Sequence, residues 1–216
     1  ITGASSGIGA GLAKSFAADG YHVIACGRDR ARLDALRQIC PNLTVRLFDM
    51  TDRDACRQAL TGCYADLIIL CAGTCEYLDG GVVDAALVER VMATNFLGPV
   101  NCLDALQPQL ASGNRVVLVS SMAHWLPFPR AEAYGASKAA LSWFAESLRL
   151  DWEPKGIAVT VVSPGFVDTP LTRKNDFAMP GRVSVDEAVK AIRTGLAAEK
   201  MHIAFPAGFG FILRAL

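Results

Sequence analysis

The sequence predicts an α/β domain, a doubly wound parallel sheet of about seven strands with helices on both faces. Three observations carry this. Short β-branched runs alternate with longer amphipathic stretches. The runs are apolar at consecutive positions, as in parallel strands buried on both faces. A glycine-rich turn stands between an apolar lead-in at Ile1 and the first helical stretch. Such alternation calls for right-handed βαβ crossovers, which place helices on both sides of one sheet.

The lead-in before Gly3 reads as the end of a first strand, truncated at the N-terminus. The chain opens at Ile1 and not at Met, so a short N-terminal piece is expected before it and a C-terminal one after it. Helices are expected over 7–19, 30–39, 52–60, 84–110, 131–152 and 185–198. Strands are expected over 22–26, 43–48, 66–71, 115–120, 157–162 and 201–205. Asp52 and Asp84 stand where capping or first-turn acids belong. There is no repeat and no Pro/Gly/Ser-rich linker, so one domain is expected to account for 1–216.

Composition excludes several classes. Of 216 residues, 52% are hydrophobic and 19% charged, which is incompatible with a disordered chain. The 21 basic and 21 acidic side chains cancel, and no basic or aromatic platform appears, so no nucleic-acid partner is expected. The seven cysteines lack zinc-ligand spacing, so no metal is expected. They read as reduced thiols in the cytoplasm, mostly acting as small core residues. No apolar run approaches the ~18 residues that span a bilayer, so no stable membrane insertion is expected. The apolar run 205–216 is expected to dock on its own domain, with a subunit contact as the next alternative.

Thr2-Gly3-Ala4-Ser5-Ser6-Gly7-Ile8-Gly9 joins a strand end to a helix start. Glycines there let a pyrophosphate approach the backbone, and the helix N-terminus offers free N–H groups. At the end of the second strand an acid usually meets the ribose hydroxyls of NAD. Here Gly27 and then Arg28 hold that place. A guanidinium suits a 2′-phosphate, so NADP is expected ahead of NAD. The alternative leaves Arg28 solvated and gives a ribose hydroxyl to Asp29. At the end of the third strand Asp49, beside Met50, is placed to accept from an adenine amine, or serves only as a strand-end acid.

Tyr134 and Lys138 stand four apart at the start of a helix, one turn apart on one face. A neighbouring ammonium favours phenolate and eases proton exchange by a side chain whose ordinary pKa is ~10. Ser120 and Ser121 end the fifth strand, the end at which open α/β sheets bind ligands.

With these motifs in this order the sequence resembles the short-chain dehydrogenase/reductase (SDR) family, the branch with T-G-x-x-x-G-x-G and Y-x-x-x-K. The residues that carry the resemblance are Thr2, Gly3, Gly7, Gly9, Asn95, Ser121, Tyr134, Lys138, Pro164 and Gly165. It implies a Rossmann-type fold and NAD(P)-dependent interconversion of a carbonyl and a secondary alcohol. Tyr134 would be the general acid or base. Lys138 would lower its pKa and hold the nicotinamide ribose. Ser121 would bind the substrate oxygen, and Asn95 would anchor a water in a relay through Lys138. The glycine loop with Ser5, Ser6 and Ile8, the turn Cys71-Ala72-Gly73, and Met50 would line the cofactor. Pro164, Gly165, Val167 and Thr169 would lie beside the nicotinamide. The resemblance also implies a small-molecule substrate and a homodimer or homotetramer built through helices 84–110 and 131–152.

Two positions depart from the family pattern. Cys71 replaces an asparagine and cannot supply its amide bonds; a buried inert thiol is the expected reading, ahead of a redox sensor. His124 stands where glycine is common, and lines the substrate pocket or faces solvent. Phe166 is a second substrate-lining candidate. Residues 169–184 should form a mobile substrate lid, with Arg173, Lys174, Phe177 and Met179 as candidate contacts. Ser120 reads as structural support. The alternative function is a cofactor-binding regulatory or scaffold protein of the same fold without significant turnover.

Overall fold

The structure, a computed structural model, describes residues 1–206. The expected role of the terminal apolar run falls on 207–216 and lies outside the described residues. Six parallel strands form the sheet: β1 (Val23–Gly27), β2 (Leu43–Leu47), β3 (Leu67–Leu70), β4 (Arg115–Val119), β5 (Ala158–Pro164) and β6 (His202–Phe205). β1 pairs with β2, and β3-β4-β5-β6 form a second ladder. Thr2 bridges Cys26 on one side and Leu70 on the other, so the stub at the chain start knits the two ladders together. The expected seventh strand is thus one bridging residue. The chain runs outward from this stub to β2, then crosses back to β3. That reversal is a topological switch point.

Among the described residues seven α-helices cover both faces: α1 (Gly7–Ala18), α2 (Arg30–Ile39), α3 (Arg53–Leu60), α4 (Ala85–Met92), α5 (Gly98–Leu106), α6 (Glu132–Trp152) and α7 (Val185–Ala197). The strand side chains alternate between them. Ile69, Val117, Val119 and Val162 pack with Leu12, Phe16, Leu33 and Ile192 of α1, α2 and α7. Ile68, Leu70, Val116, Leu118 and Val161 pack with Cys56, Leu103, Leu141 and Trp152 of α3, α5 and α6. The central strands β3, β4 and β5 are buried on both faces, which is why they read as continuous apolar runs, whereas β2 is largely half-buried or exposed. α1 buries Gly9, Leu12, Ala13 and Phe16, a spacing of three, one and three that makes one stripe of a 3.6-residue helix. Cutting a fully buried Leu such as Leu141 to Ala would cost about 2–5 kcal/mol.

Asp52 and Asp84 cap α3 and α4, accepting from Ala55 N at 3.0 Å and Leu87 N at 3.1 Å. The single helix expected over 84–110 is divided. After α4 the chain makes a π turn over Ala93–Leu97 before α5, then a 3-10 turn over Gln107–Gln109. Pro99 has no N–H to give the Asn95 carbonyl four residues back. The Asn95 side chain meanwhile leaves the helix to bond elsewhere. A π turn inserted into a helix often marks a functional position. No described helix is long and apolar enough to cross a membrane.

Candidate active site

The carboxyl ends of the strands open into a cleft of about 600 Å³ at the switch point. Gly3 has φ +68°, and a Cβ there would come within 2.8 Å of the Ala72 Cα. A Cβ on Gly9 would come within 2.3 Å of the Gly3 carbonyl oxygen. Only glycines let this loop fold back on itself and against the turn after β3. The Thr2 hydroxyl accepts from Cys71 N at 3.0 Å and Ala72 N at 3.3 Å, locking loop and turn together. Thr2 enters the expectations only as a motif residue, and this bracing role could not be read from spacing.

α1 starts at Gly7 without a side-chain cap, and no acid stands in its first turn. Asp29, Asp52, Asp84 and Ser184 cap α2, α3, α4 and α7. Gly7, Ile8 and Gly9 line the cleft, so the N-terminus of α1 offers its donors and positive dipole end there. The donors and the glycine cradle fit the pyrophosphate of a dinucleotide.

Along the rim, Arg28 donates to Asp49 at 3.1 Å, with 69% of its side chain exposed. Asp49 also accepts from Thr51 N at 2.9 Å and Thr51 Oγ1 at 2.8 Å. Burial alone would raise the Asp49 pKa; the bonds from Thr51 and Arg28 outweigh it and hold the carboxyl below its ordinary value. Asp29 caps α2 and pairs with Arg32 at 3.1 Å, so its carboxylate is already engaged. Arg32 lines the cleft beside Arg28 and was not foreseen. Its signal was the alternating run Arg28, Arg30 and Arg32, whose last member stands on the opening turn of α2.

Tyr134 and Lys138 project from the first turns of α6, with the ammonium 5.8 Å from the phenol ring centre. Lys138 donates to the Val119 carbonyl at 2.9 Å. Ser121 caps a short turn by accepting from Ala123 N at 3.1 Å. Ser120 donates to the Lys138 carbonyl at 3.1 Å and bonds Ser142 at 2.7 Å, the supporting role expected of it. Asn95, fully buried, accepts from Thr74 N at 2.8 Å and donates to Thr74 O and Ser137 Oγ, each at 2.9 Å. Ser137 then donates to the Tyr134 carbonyl at 2.7 Å. The π turn, the turn after β3 and the start of α6 are thereby tied together.

Burial dominates the electrostatics. It pushes Tyr134 up to about 12, only partly opposed by the Ser121 hydroxyl. It pushes Lys138 down to about 8. The net direction at Tyr134 is therefore set by burial. Loss of solvent favours the neutral form of both groups. Burial likewise pushes the Cys71 thiol up to about 11, so it is protonated at neutral pH and a poor nucleophile.

The cleft brings together Gly3, Ser5, Ser6, Gly7, Ile8, Gly9, Arg28, Asp49, Met50, Cys71, Ala72, Gly73, Ser121, Tyr134, Lys138, Pro164, Gly165, Val167 and Thr169. Asn95, His124 and Phe166 do not line it. Asn95 lies behind the wall. The His124 ring donates to the Ser121 carbonyl at 2.6 Å and packs on Trp125, so it turns along its own loop instead of into the cleft. Phe166 packs against Phe177, with ring centres 6.1 Å apart. The segment expected as a lid leaves the sheet side at Asp168 and returns at Val183, where Asp168 N donates to Val183 O at 2.8 Å.

The sequence model of the short chain dehydrogenase family matches residues 1–179. The chain is 36% identical to an uncharacterized oxidoreductase of Myxococcus xanthus (strain DK1622), over 95% of this chain and 86% of that protein. It is 38% identical to dehydrogenase/reductase SDR family member 7B of Xenopus laevis over 80% of this chain, but spans only 58% of that protein's length. A short-chain dehydrogenase from Sphingobium yanoikuyae, solved in complex with NADPH, superposes with a TM-score of 0.87. It is 28% identical, over 96% of this chain and 87% of that one. With its glycine loop, its parallel sheet and its Tyr134–Lys138 pair, this chain belongs to the short-chain dehydrogenase family.

Proposed function

We propose that the protein is an NADP-dependent oxidoreductase that interconverts a carbonyl and a secondary alcohol. The observation that carries this is the convergence of Ser121, Tyr134 and Lys138 on the wall of the cleft that also holds the glycine loop and the open N-terminus of α1. A nicotinamide dinucleotide bound there supplies the hydride. The backbone of Gly7 to Gly9 holds its pyrophosphate, and Cys71, Ala72, Gly73, Pro164, Gly165, Val167 and Thr169 line the remainder of its path. Arg28 reads the 2′-phosphate, trading Asp49 for a phosphate oxygen. Arg32 stands beside it as a second cation.

The chain's own residues move the proton. Ser121 Oγ already accepts from Ala123 N, so its proton is directed to the substrate oxygen. In reduction, Tyr134 is a neutral phenol at physiological pH and gives its proton to that oxygen as charge develops there. The Lys138 ammonium, held by Val119 O, stabilises the phenolate left behind. With a pKa of about 8 it also gives up its own proton readily. A Cβ on Gly73 would sit 3.3 Å from Asn95 Oδ1 and 3.4 Å from Lys138 Nζ. Both groups thus approach the Gly73 backbone closely, which places Asn95 and Lys138 on the same turn. Leu97, Trp143 and Leu150 are exposed apolar residues on the helices expected to pair, which supports a homodimer or homotetramer.

The test is NADPH consumption against a broad panel of aldehydes and ketones, wild type beside Tyr134→Phe. Turnover by wild type that collapses in the variant supports the reading. Equal inactivity of both across the panel, with NADPH bound, overturns it in favour of a cofactor-binding protein without turnover.

A further inference from the structure

One stretch of chain serves both ends of the cleft: the π turn over Ala93–Leu97 and the first turn of α5. Across the sheet the order is β2, β1, the stub at Thr2, β3 and β4. Met50, after β2, therefore lies at the opposite end of the cleft from Ser121, after β4, with the glycine loop between them. A dinucleotide with its pyrophosphate on that loop and its nicotinamide beside Tyr134 puts its adenine at Met50. At the reaction end, Asn95 of the π turn bonds Thr74 and Ser137, and Ser137 bonds the Tyr134 carbonyl. At the adenine end, Gly98 meets Met50.

Gly98 has helical φ −58° and ψ −52°, so no left-handed backbone calls for glycine there. Within a helix glycine costs about 1 kcal/mol against alanine. What it provides is space. A Cβ on Gly98 would stand 2.7 Å from Met50 Cγ, 2.9 Å from Cε and 3.2 Å from Sδ. The Met50 side chain thus lies along the bare backbone of α5. It belongs to the core cluster of Cys56, Cys102 and Leu103, and it also lines the cleft.

Neither backbone is free to retreat. The Met50 carbonyl accepts from Asn101 Nδ2 at 3.0 Å and from Cys56 Sγ at 3.4 Å. Asn101 stands on α5 one turn after Gly98, so the helix that makes room for the side chain also holds its carbonyl. The start of α5 is pinned in turn by the buried bonds of Asn95. With both backbones held and the core close-packed, a larger residue at 98 would drive the Met50 side chain into the cleft.

We propose that Gly98 and Asn101 are positioning residues for the adenine end of the cofactor, acting through Met50. Gly98 sets the depth of the floor on which the ring lies, and Asn101 fixes the backbone that carries it. This inference rests on the nucleotide-cofactor reading of the cleft. It is separate from the role of Arg28, because a floor holds every adenine nucleotide alike, with or without a 2′-phosphate.

The test is a double-mutant cycle of Gly98→Ala and Met50→Ala in the full chain, read by titration with NADPH, NADH and AMP and by thermal melts. With Met50 in place, Gly98→Ala should weaken all three ligands about tenfold and leave the NADPH-to-NADH ratio unchanged. In the Met50→Ala background the same substitution should cost less than about twofold. The KM for NADPH should rise with kcat at saturation kept, the mark of lost uniform binding; a fall in kcat with KM unchanged overturns the proposal. A Gly98→Ala protein that fails to fold, beside a double variant that folds and binds, supports the proposal equally. Equal losses in both backgrounds would assign the glycine to its junction with Pro99 and overturn it. No loss with Met50 in place, a loss confined to NADPH, or failure of the double variant to fold overturns it too. Asn101→Ala should weaken all three ligands about fivefold, the worth of one hydrogen bond; binding equal to wild type overturns the role of Asn101. A wild type that binds neither NADPH nor AMP overturns the cofactor reading itself, whereas wild-type binding without coupling in the cycle overturns this inference alone.

Discussion

Lys138 donates to the Val119 carbonyl at 2.9 Å, fastening the second turn of α6 to the carboxyl end of β4. One bond thereby fixes the cation relative to the sheet and places it under the cleft. The same burial that makes the position rigid makes the charge costly, since the ammonium is only 4% exposed.

That cost is measurable. Lys138→Met should abolish turnover yet stabilise the cofactor-free protein at pH 7 by about 3 kcal/mol, the differential worth of a pKa lowered from 10.5 to about 8. Below pH 8 the native and unfolded states are both protonated, so the full penalty applies. Between pH 8 and 10.5 the native state releases its proton first, and the penalty fades as pH rises. The stability gap between variant and wild type in urea melts should narrow across that window. A gap that is constant with pH would contradict the burial argument. Cys71 and Tyr134, whose raised pKa values act in the opposite direction at higher pH, are present in both proteins, and loss of the ammonium pushes the Cys71 thiol further up.

Tyr134→Phe removes one hydroxyl and keeps the ring. It should leave NADPH binding within about twofold and lower kcat by about 10²–10⁴, the usual worth of a positioned acid. Loss of cofactor binding in parallel would show that the phenol holds the fold of the cleft instead of moving a proton.

Arg28→Ala should weaken NADPH by about tenfold to a hundredfold, the worth of one charge-assisted phosphate bond, and leave NADH nearly unchanged. Its ion pair with Asp49 is largely exposed, so stability should change by less than about 0.5 kcal/mol. Equal losses for both cofactors, read by thermal shift, would take the 2′-phosphate away from Arg28.

Gly9→Ala would drive a methyl group to within 2.3 Å of the Gly3 carbonyl oxygen. The backbone cannot yield there without moving the whole loop. We expect a loss of more than about 2 kcal/mol in stability, together with loss of NADPH binding. A variant that melts like wild type and binds normally would contradict the close approach.

Asn95→Ala should cost about 2–4 kcal/mol, because three bonds within a buried network are lost and Thr74 and Ser137 are left without their partner. Asn95→Asp keeps the acceptor for Thr74 N and should recover part of that loss in a denaturant melt.

Periodicity in the sequence was enough for the parallel sheet, the helix positions and the cofactor end of the cleft. The central strands β3, β4 and β5 are buried on both faces, so apolar runs mark them directly, and Asp52 and Asp84 cap the helices they were expected to open. The glycine loop and the Tyr134–Lys138 spacing are local patterns, and local patterns survive in one dimension. What the fold decided depends on distant segments meeting. No spacing shows that Thr2 bridges two ladders, because its partners Cys26 and Leu70 belong to separate βαβ units. The π turn at Asn95 reads as plain helix, since its cause includes an amide bonded to Thr74, 21 residues away. Spacing leaves His124 open between the substrate pocket and solvent; the short turn after Ser121 aims its ring at its own backbone. The rise of Tyr134 and the fall of Lys138 follow from burial, a property of the packed chain that two residues four apart cannot reveal. The pairing of Arg130 with Asp79 and Asp176, 51 and 46 residues away, left no local signal, because ion pairs across loops form only after the sheet has brought those loops to one end.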